Sequence, residues 1–327
     1  GVELTISGDI LSGRDYVLSA NLSLGMNKMK VDKLNGTDNV IWDQNNRWKS
    51  SYNDYCLKVG DQVGLIYGFV YDGLYSMDEF YFDPTNNLQA VPWGSTAAEN
   101  GTSKDAPIMD ADGVEHPKTI INQISGDSNS GIATLPGKVK FKDLNGDNKI
   151  TTEDRTIIGN ANPDFIFGIG NDFSYKNFDL SFMFQGTYGN DVYNLLKVTF
   201  SELPSNSNNT GNAFAFVKDS WRGEGTSNTQ QAFNKGVGPS SSRFVEDGSY
   251  IRLKNLTFGY TLPKSVTSKW GISNLRFYLS GQNLFTITGY SGYDPEVSSR
   301  TGNYNLGFDG GSYPATRSYT FGLNLTL

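Results

Sequence analysis

The chain has 327 residues, a formal net charge of −7, 37% hydrophobic residues, one His and one Cys. The acidic balance, with no basic strip interleaved with aromatics, argues against nucleic-acid binding, and the single Cys56 excludes an intrachain disulfide framework and any cysteine-rich metal site. No apolar run approaches the roughly 20 residues of a membrane-crossing helix, a criterion that says nothing of a barrel, whose lipid face uses only alternate residues.

The chain opens on GVELTISG, already strand-like and without a leader, and so reads as a mature fragment or the later part of a longer polypeptide. Strands are expected over 2–7 and 16–31, around a short Gly/Asp connection. In the second, Leu18, Ala20, Leu22, Leu24 and Met26 oppose Ser19, Asn21, Ser23, Gly25 and Asn27. A polar excursion follows over about 32–163, rich in Asn, Asp, Gly and Pro, with one strand-like patch at 65–75. Strands over 165–175 and 178–188 come next, joined by the tight turn Lys176-Asn177. Phe178, Leu180, Phe182 and Phe184 form one row there, and Asp179, Ser181, Met183 and Gln185 the other.

A second long loop occupies about 190–243, and 243–262 reads as a strand followed by a connector over 263–271. The next strand covers 274–288, with Leu275, Phe277 and Leu279 opposing Arg276, Tyr278 and Ser280. After a third loop over about 289–315 the last strand runs over 317–327, where Tyr319, Phe321, Leu323, Leu325 and Leu327 share a side. A soluble sandwich buries such a row against a second sheet, whereas an outer-membrane barrel points it at lipid. Parity adds an argument: with about seven strands, all three long segments fall at one end and all short turns at the other. That is the habit of outer-membrane barrels, whose long loops are extracellular. Seven strands are fewer than close the smallest barrels, so further strands must pair the free edges.

Asp143, Asn145, Asp147, Lys149, Thr151 and Asp154 fall at positions 1, 3, 5, 7, 9 and 12 of a calcium-type loop over 143–154, with Lys149 offering its backbone carbonyl. Ile150 stands where such loops place an apolar anchor. Asn148 replaces the usual Gly, and Asp154 is a shorter arm than Glu. The same residues also suit an Asx-rich turn closed by its own side chains, so Ca2+ is one of two readings.

His116 lies alone in a polar loop, which gives no reason to assign it as a base. Glu246-Asp247 and Asp294 with Glu296 have the makings of glycoside-hydrolase pairs, but such carboxylates also decorate ordinary turns. Aromatic residues in the loops, Tyr81, Trp93, Trp221, Tyr290, Tyr293 and Tyr313, suit stacking on a ligand or packing within the loops. On the residues alone, a secreted β-sandwich carbohydrate-binding module with a dockerin-like calcium loop is a competing reading.

Several blocks together resemble the C-terminal portion of SusC/RagA-type TonB-dependent outer-membrane transporters. They are YGFVYDGLY (Tyr67 to Tyr75), KDLNGDNKITTEDRTIIG (Lys142 to Gly159), NPDFIFGIGNDFSYKNFDLSFMFQG (Asn162 to Gly186) and RFVEDGSYIRLKNLTFGYTLP (Arg243 to Pro263). NLFTITGYSGYDPE (Asn283 to Glu296) and the stretch from Tyr313-Pro314 to Leu327 complete the set, which stays in the family's order. The resemblance implies an all-β antiparallel transmembrane β-barrel, of which this chain supplies about seven of roughly twenty-two strands, plugged in its lumen. It also implies a SusD-like surface lipoprotein as lid, import of an oligosaccharide or peptide, and energy from the TonB system through a plug that nothing in this sequence matches. The remaining strands and plug of the same or another chain, and outer-membrane lipid, are the other expected partners. The chain ends on Leu327, where such barrels commonly end on Phe.

Overall fold

Register turns alternation along single strands into a surface, because residues directly opposed across an antiparallel pair share a face. The computed structural model describes residues 1–34, 40–42, 55–83, 89–92, 108–110, 112–116, 119–122, 124, 134–201, 211–232, 238–296 and 306–327. Its main sheet has seven strands: β1 (Val2–Ser12), β2 (Tyr16–Met26), β3 (Phe165–Tyr175), β4 (Phe178–Tyr188), β5 (Tyr250–Thr261), β6 (Asn274–Thr288) and β7 (Ser318–Thr326). Each pairs antiparallel with the next in chain order, leaving β1 and β7 as the two edges.

Across this sheet Ile6 opposes Leu22, then Ile169, Phe184, Leu253 and Phe285. A lower row runs Leu18, Phe173, Leu180, Phe258, Leu279 and Phe321. The apolar residues of six or seven strands therefore lie on one continuous face. Much of it is open: Phe321 is 73% exposed, and Ile6 and Leu279 are each 56% exposed, while Leu253 is buried at 6%. A sandwich would bury these side chains, so the competing sandwich reading fails here. Asn171 interrupts the row opposite Phe182 and Ala20, and nothing in the structure explains it.

The other face is polar and cross-linked. Ser19 donates to Asp9, Thr257 and Ser280 share a hydrogen bond of 3.0 Å, and Arg276 Nε donates to Asp179 at 3.0 Å. A bulge in β5 keeps the two faces from mixing. In β5 the apolar positions run Ile251, Leu253, then Leu256, Phe258 and Tyr260, a change of parity. Lys254 is the extra residue, with no opposite number in the ladder between Leu253 and Asn255, and it returns the later row to the apolar face.

Aromatic residues bracket the apolar band. At the short-turn end Tyr16, Tyr175, Phe178, Tyr260 and Phe277 stand side by side in register. At the other end Phe165 opposes Tyr188, with ring centroids 5.2 Å apart. From Phe178 to Tyr188 at about 3.4 Å per residue is roughly 34 Å along the strand, and a tilt of about 40° leaves a height of roughly 26 Å. That is the apolar band of a transmembrane barrel.

Boundaries shift in ways the local chemistry explains. β1 extends to Ser12, through a register shift between Asp9 and Leu11, whereas β2 stops at Met26. The patch at 65–75 is two strands, Leu65–Phe69 and Tyr71–Leu74, pairing with different partners. The stretch 243–262 likewise divides, with Val245–Asp247 turning off before Gly248 to pair with Asp191–Asn194 instead of β4.

All three long connections lie at one end, as the parity argument expects, and they build the buried core there. Tyr55 and Ile66 come from the first, Tyr193, Val198 and Phe244 from the second, and Phe308 from the third, in one cluster. The Tyr55 hydroxyl donates to the Leu306 carbonyl at 2.7 Å, and the Tyr193 and Phe308 rings are nearly parallel. A second cluster, Phe69, Val139, Phe141 and Ile150, lies within the first connection. The three long connections, polar in sequence, thus together carry most of the buried hydrophobic residues described.

Candidate functional site at the loop end

The acidic loop is closed by its own side chains. Asp143 Oδ1 accepts from the N–H groups of Gly146 (2.7 Å) and Asp147 (3.2 Å), and Oδ2 accepts from Asn148 (2.6 Å). Asn145 and Asp147 accept from Asp147 N and Lys149 N in turn. Asp154, with 0% exposure, accepts from Leu144, Asn145 and Thr151, while the Thr151 hydroxyl accepts from Glu153 N. Asn148 takes φ 63°, the left-handed backbone that Asn tolerates in place of Gly. Ile150 is fully buried beside Phe141, as an anchor should be. Among the described residues no three His, Cys, Asp or Glu side chains gather as a metal-holding group. A hard cation here would take its remaining ligands from the Asn145 amide, the Lys149 carbonyl and the Thr151 hydroxyl.

The aromatic candidates divide. Trp93 lies outside the described residues. Trp221 is half-buried over Gly137, where φ is 74° and a Cβ would run into the indole. Its role is loop packing. Tyr290 is 5% exposed and donates its hydroxyl to Asp309 at 2.7 Å; burial first, then that carboxylate, push its pKa up. It is a core post and not a stacking platform. Tyr81 is half-buried. Tyr293 and Tyr313 are open to solvent, at 70% and 84% exposed.

His116 Nε2 sits 3.0 Å from Asp110 Oδ2 in a small hairpin, and this contact leads the lowering of the Asp110 pKa. Asp294 and Glu296 are both committed to Arg252, whose Nη2 reaches Asp294 Oδ1 (2.5 Å) and Nη1 reaches Glu296 Oε2 (2.7 Å). Burial pushes the Asp294 carboxyl up, but the N–H groups of Ala315 and Glu296, with Arg252, hold it below its ordinary value. This triad ties β5 to the third connection, a bracing role that leaves neither carboxylate free for glycoside hydrolysis.

Beside it lies a cleft of about 340 Å³ lined by Asn194, Lys197, Phe214, Phe216, Ser291 and Tyr293, among others. Its floor is a polar network. Glu246 Oε1 accepts from Lys197 Nζ and the Ser291 hydroxyl, both at 2.9 Å, and Oε2 accepts from Ser291 N. Asn194 Oδ1 caps the short helix Leu195–Phe200 by accepting from Lys197 N. Burial acts to raise the Glu246 pKa, but Ser291 and Lys197 outweigh it and hold the carboxyl low. Of this group the sequence reading found only Tyr293 and Glu246, the latter as half of a carboxylate pair with Asp247. The others sit on two separate connections, and no spacing motif links them.

No protein-family model matches the chain. It is 34% identical over 330 residues, 99% of its length, to TonB-dependent receptor P3 of Formosa agariphila, and 38% identical over 248 residues, 73% of its length, to TonB-dependent receptor P26 of the same organism. To TonB-dependent receptor SusC of Bacteroides thetaiotaomicron it is 32% identical over 193 residues, 57% of its length. The chain spans 28%, 23% and 17% of the lengths of these relatives. Among solved structures the RagAB peptide transporter shares its fold, at a TM-score of 0.65 and 19% identity over 99% of this chain and 28% of that one. These relatives are receptors and transporters, which points away from an enzyme. The two-faced antiparallel sheet is a transmembrane β-barrel segment, and the chain belongs to the TonB-dependent receptors.

Proposed function

We propose that the chain is part of the wall and loop end of an importer that carries an oligosaccharide or oligopeptide across the outer membrane of a Gram-negative cell. The observation that carries the reading is a seven-stranded sheet with one lipid-type face and one polar face, whose three long connections pack together at a single end. In this reading the packed end is extracellular and meets a SusD-like lipoprotein lid. The polar face lines the lumen, and TonB acts through a plug elsewhere in the full-length protein. RagAB, named as a peptide transporter, and SusC, named as a TonB-dependent receptor, support the class of activity. The test is uptake of labelled maltooligosaccharides and of labelled peptides by cells with and without the full-length protein. TonB-dependent loss of one class on deletion is expected; unchanged uptake of both, with the protein recovered in the soluble fraction, would contradict the proposal.

Calcium at Asp143, Asn145, Asp147, Lys149, Thr151 and Asp154 belongs to the same proposal, as a brace on the exposed end. Its support is the ligand spacing and the left-handed Asn148, and carboxylate oxygens keep lone pairs beyond those used by amides. Millimolar calcium is expected to raise the melting temperature of the full-length protein, and Asp147→Ala to remove the rise. Equal melting with calcium and with chelator would leave the loop as a hydrogen-bonded turn alone.

A further inference from the structure

The cleft at Lys197 carries an inference about ligand class, one that deepens the import reading and rests on it. Its walls are Phe214, Phe216, Leu196 and Tyr293, with the two Phe rings stacked at 5.7 Å. Phe214 is 38% exposed and Tyr293 70%, so the apolar surface is open to a ligand. The polar groups at its floor are mostly spent. Both Glu246 oxygens accept protein donors, the Ser291 hydroxyl donates to Glu246, and Asn194 caps its helix. Lys197 differs, because its ammonium has three N–H donors, gives one to Glu246, and is 35% exposed.

A sugar ring entering this cleft would press hydroxyls against Phe and Leu with few partners, and each unpaired polar group buried that way is costly. An apolar side chain meets no such penalty, and a single acceptor beside it suits the spare Lys197 donors. We propose that the cleft is a subsite for an aromatic or aliphatic side chain of a peptide, with a main-chain carbonyl or carboxylate of that peptide accepting from Lys197.

The test is calorimetric titration of the detergent-purified full-length protein with blocked tripeptides Ala-Phe-Ala, Ala-Leu-Ala and Ala-Ser-Ala, and with maltotriose. Binding of the Phe and Leu peptides at least tenfold tighter than that of the Ser peptide is expected, weakened about tenfold by Tyr293→Ala. Phe214→Ala, at a second partly exposed wall position, should act in the same direction. Maltotriose binding that Tyr293→Ala abolishes would overturn the proposal. So would peptide binding indifferent to both variants or to the central residue, or no binding of any tripeptide by folded protein. Binding is read without transport, so a protein that imports but ignores these peptides sinks this proposal alone, and one that binds them without importing sinks only the import reading.

Discussion

Phe182→Arg should destabilise the full-length protein in a bilayer by about 2–4 kcal/mol, while Met183→Arg, one residue along the same strand, should cost about 0.5 kcal/mol or less. Register puts Phe182 opposite Leu256 on the apolar face, near the middle of the band between Phe178 and Tyr188. An arginine there must hold its charge in hydrocarbon or distort the bilayer to reach water. Met183 opposes Gly170 and Asn255 on the polar face and is 42% exposed, with room for a longer, solvated side chain. Denaturant unfolding of both variants in lipid vesicles measures the difference. Equal costs would mean that the two faces do not meet different solvents.

The second large effect is expected at Arg252. Its side chain is 3% exposed and spans Asp294, whose side chain is 6% exposed, and Glu296, at 37%. Arg252→Ala leaves the Asp294 carboxylate buried without its cation, at a cost of roughly 3–5 kcal/mol. Arg252→Lys should rescue little, since an ammonium lacks the fork that reaches two carboxylates and the Thr286 hydroxyl together. Glu296→Gln should cost about 1 kcal/mol or less, because that partner is well solvated. Asp294 also accepts from Ala315 N, so the damage should extend into the third connection. Faster proteolysis between residues 289 and 317 in Arg252→Ala than in Glu296→Gln is the expected signature. Similar proteolysis and melting of all three variants would remove the triad from its bracing role.

The wall was legible because its signal is local and periodic. In β4 and β7 every second residue faces lipid, so five or six residues suffice to show the pattern. β5 is where periodicity misleads, since Lys254 sits in a bulge and reverses the parity of all that follows. Reading Arg243 to Leu262 as one strand missed both that bulge and the departure of Val245–Asp247. The loop end was less legible still. Its strands are short, some pair in parallel, and its core joins Tyr55 to Phe308 across most of the chain. Composition there is polar because backbone turns need Asn, Asp and Gly, which hides the few buried aromatics among them. The same distance in sequence concealed the Lys197 cleft. Tyr290 and Tyr293 are three residues apart and look alike, yet one is a buried post and the other an open wall.

The most direct test of the barrel-wall account is a nitroxide scan along β4, residues 178–188, in the full-length protein reconstituted into lipid vesicles. The account predicts a period of two, with labels at 180, 182 and 184 most accessible to oxygen in the bilayer and labels at 181, 183 and 185 most accessible to a water-soluble nickel complex. Even-numbered labels shielded from both reagents, as beneath a second sheet, would contradict it.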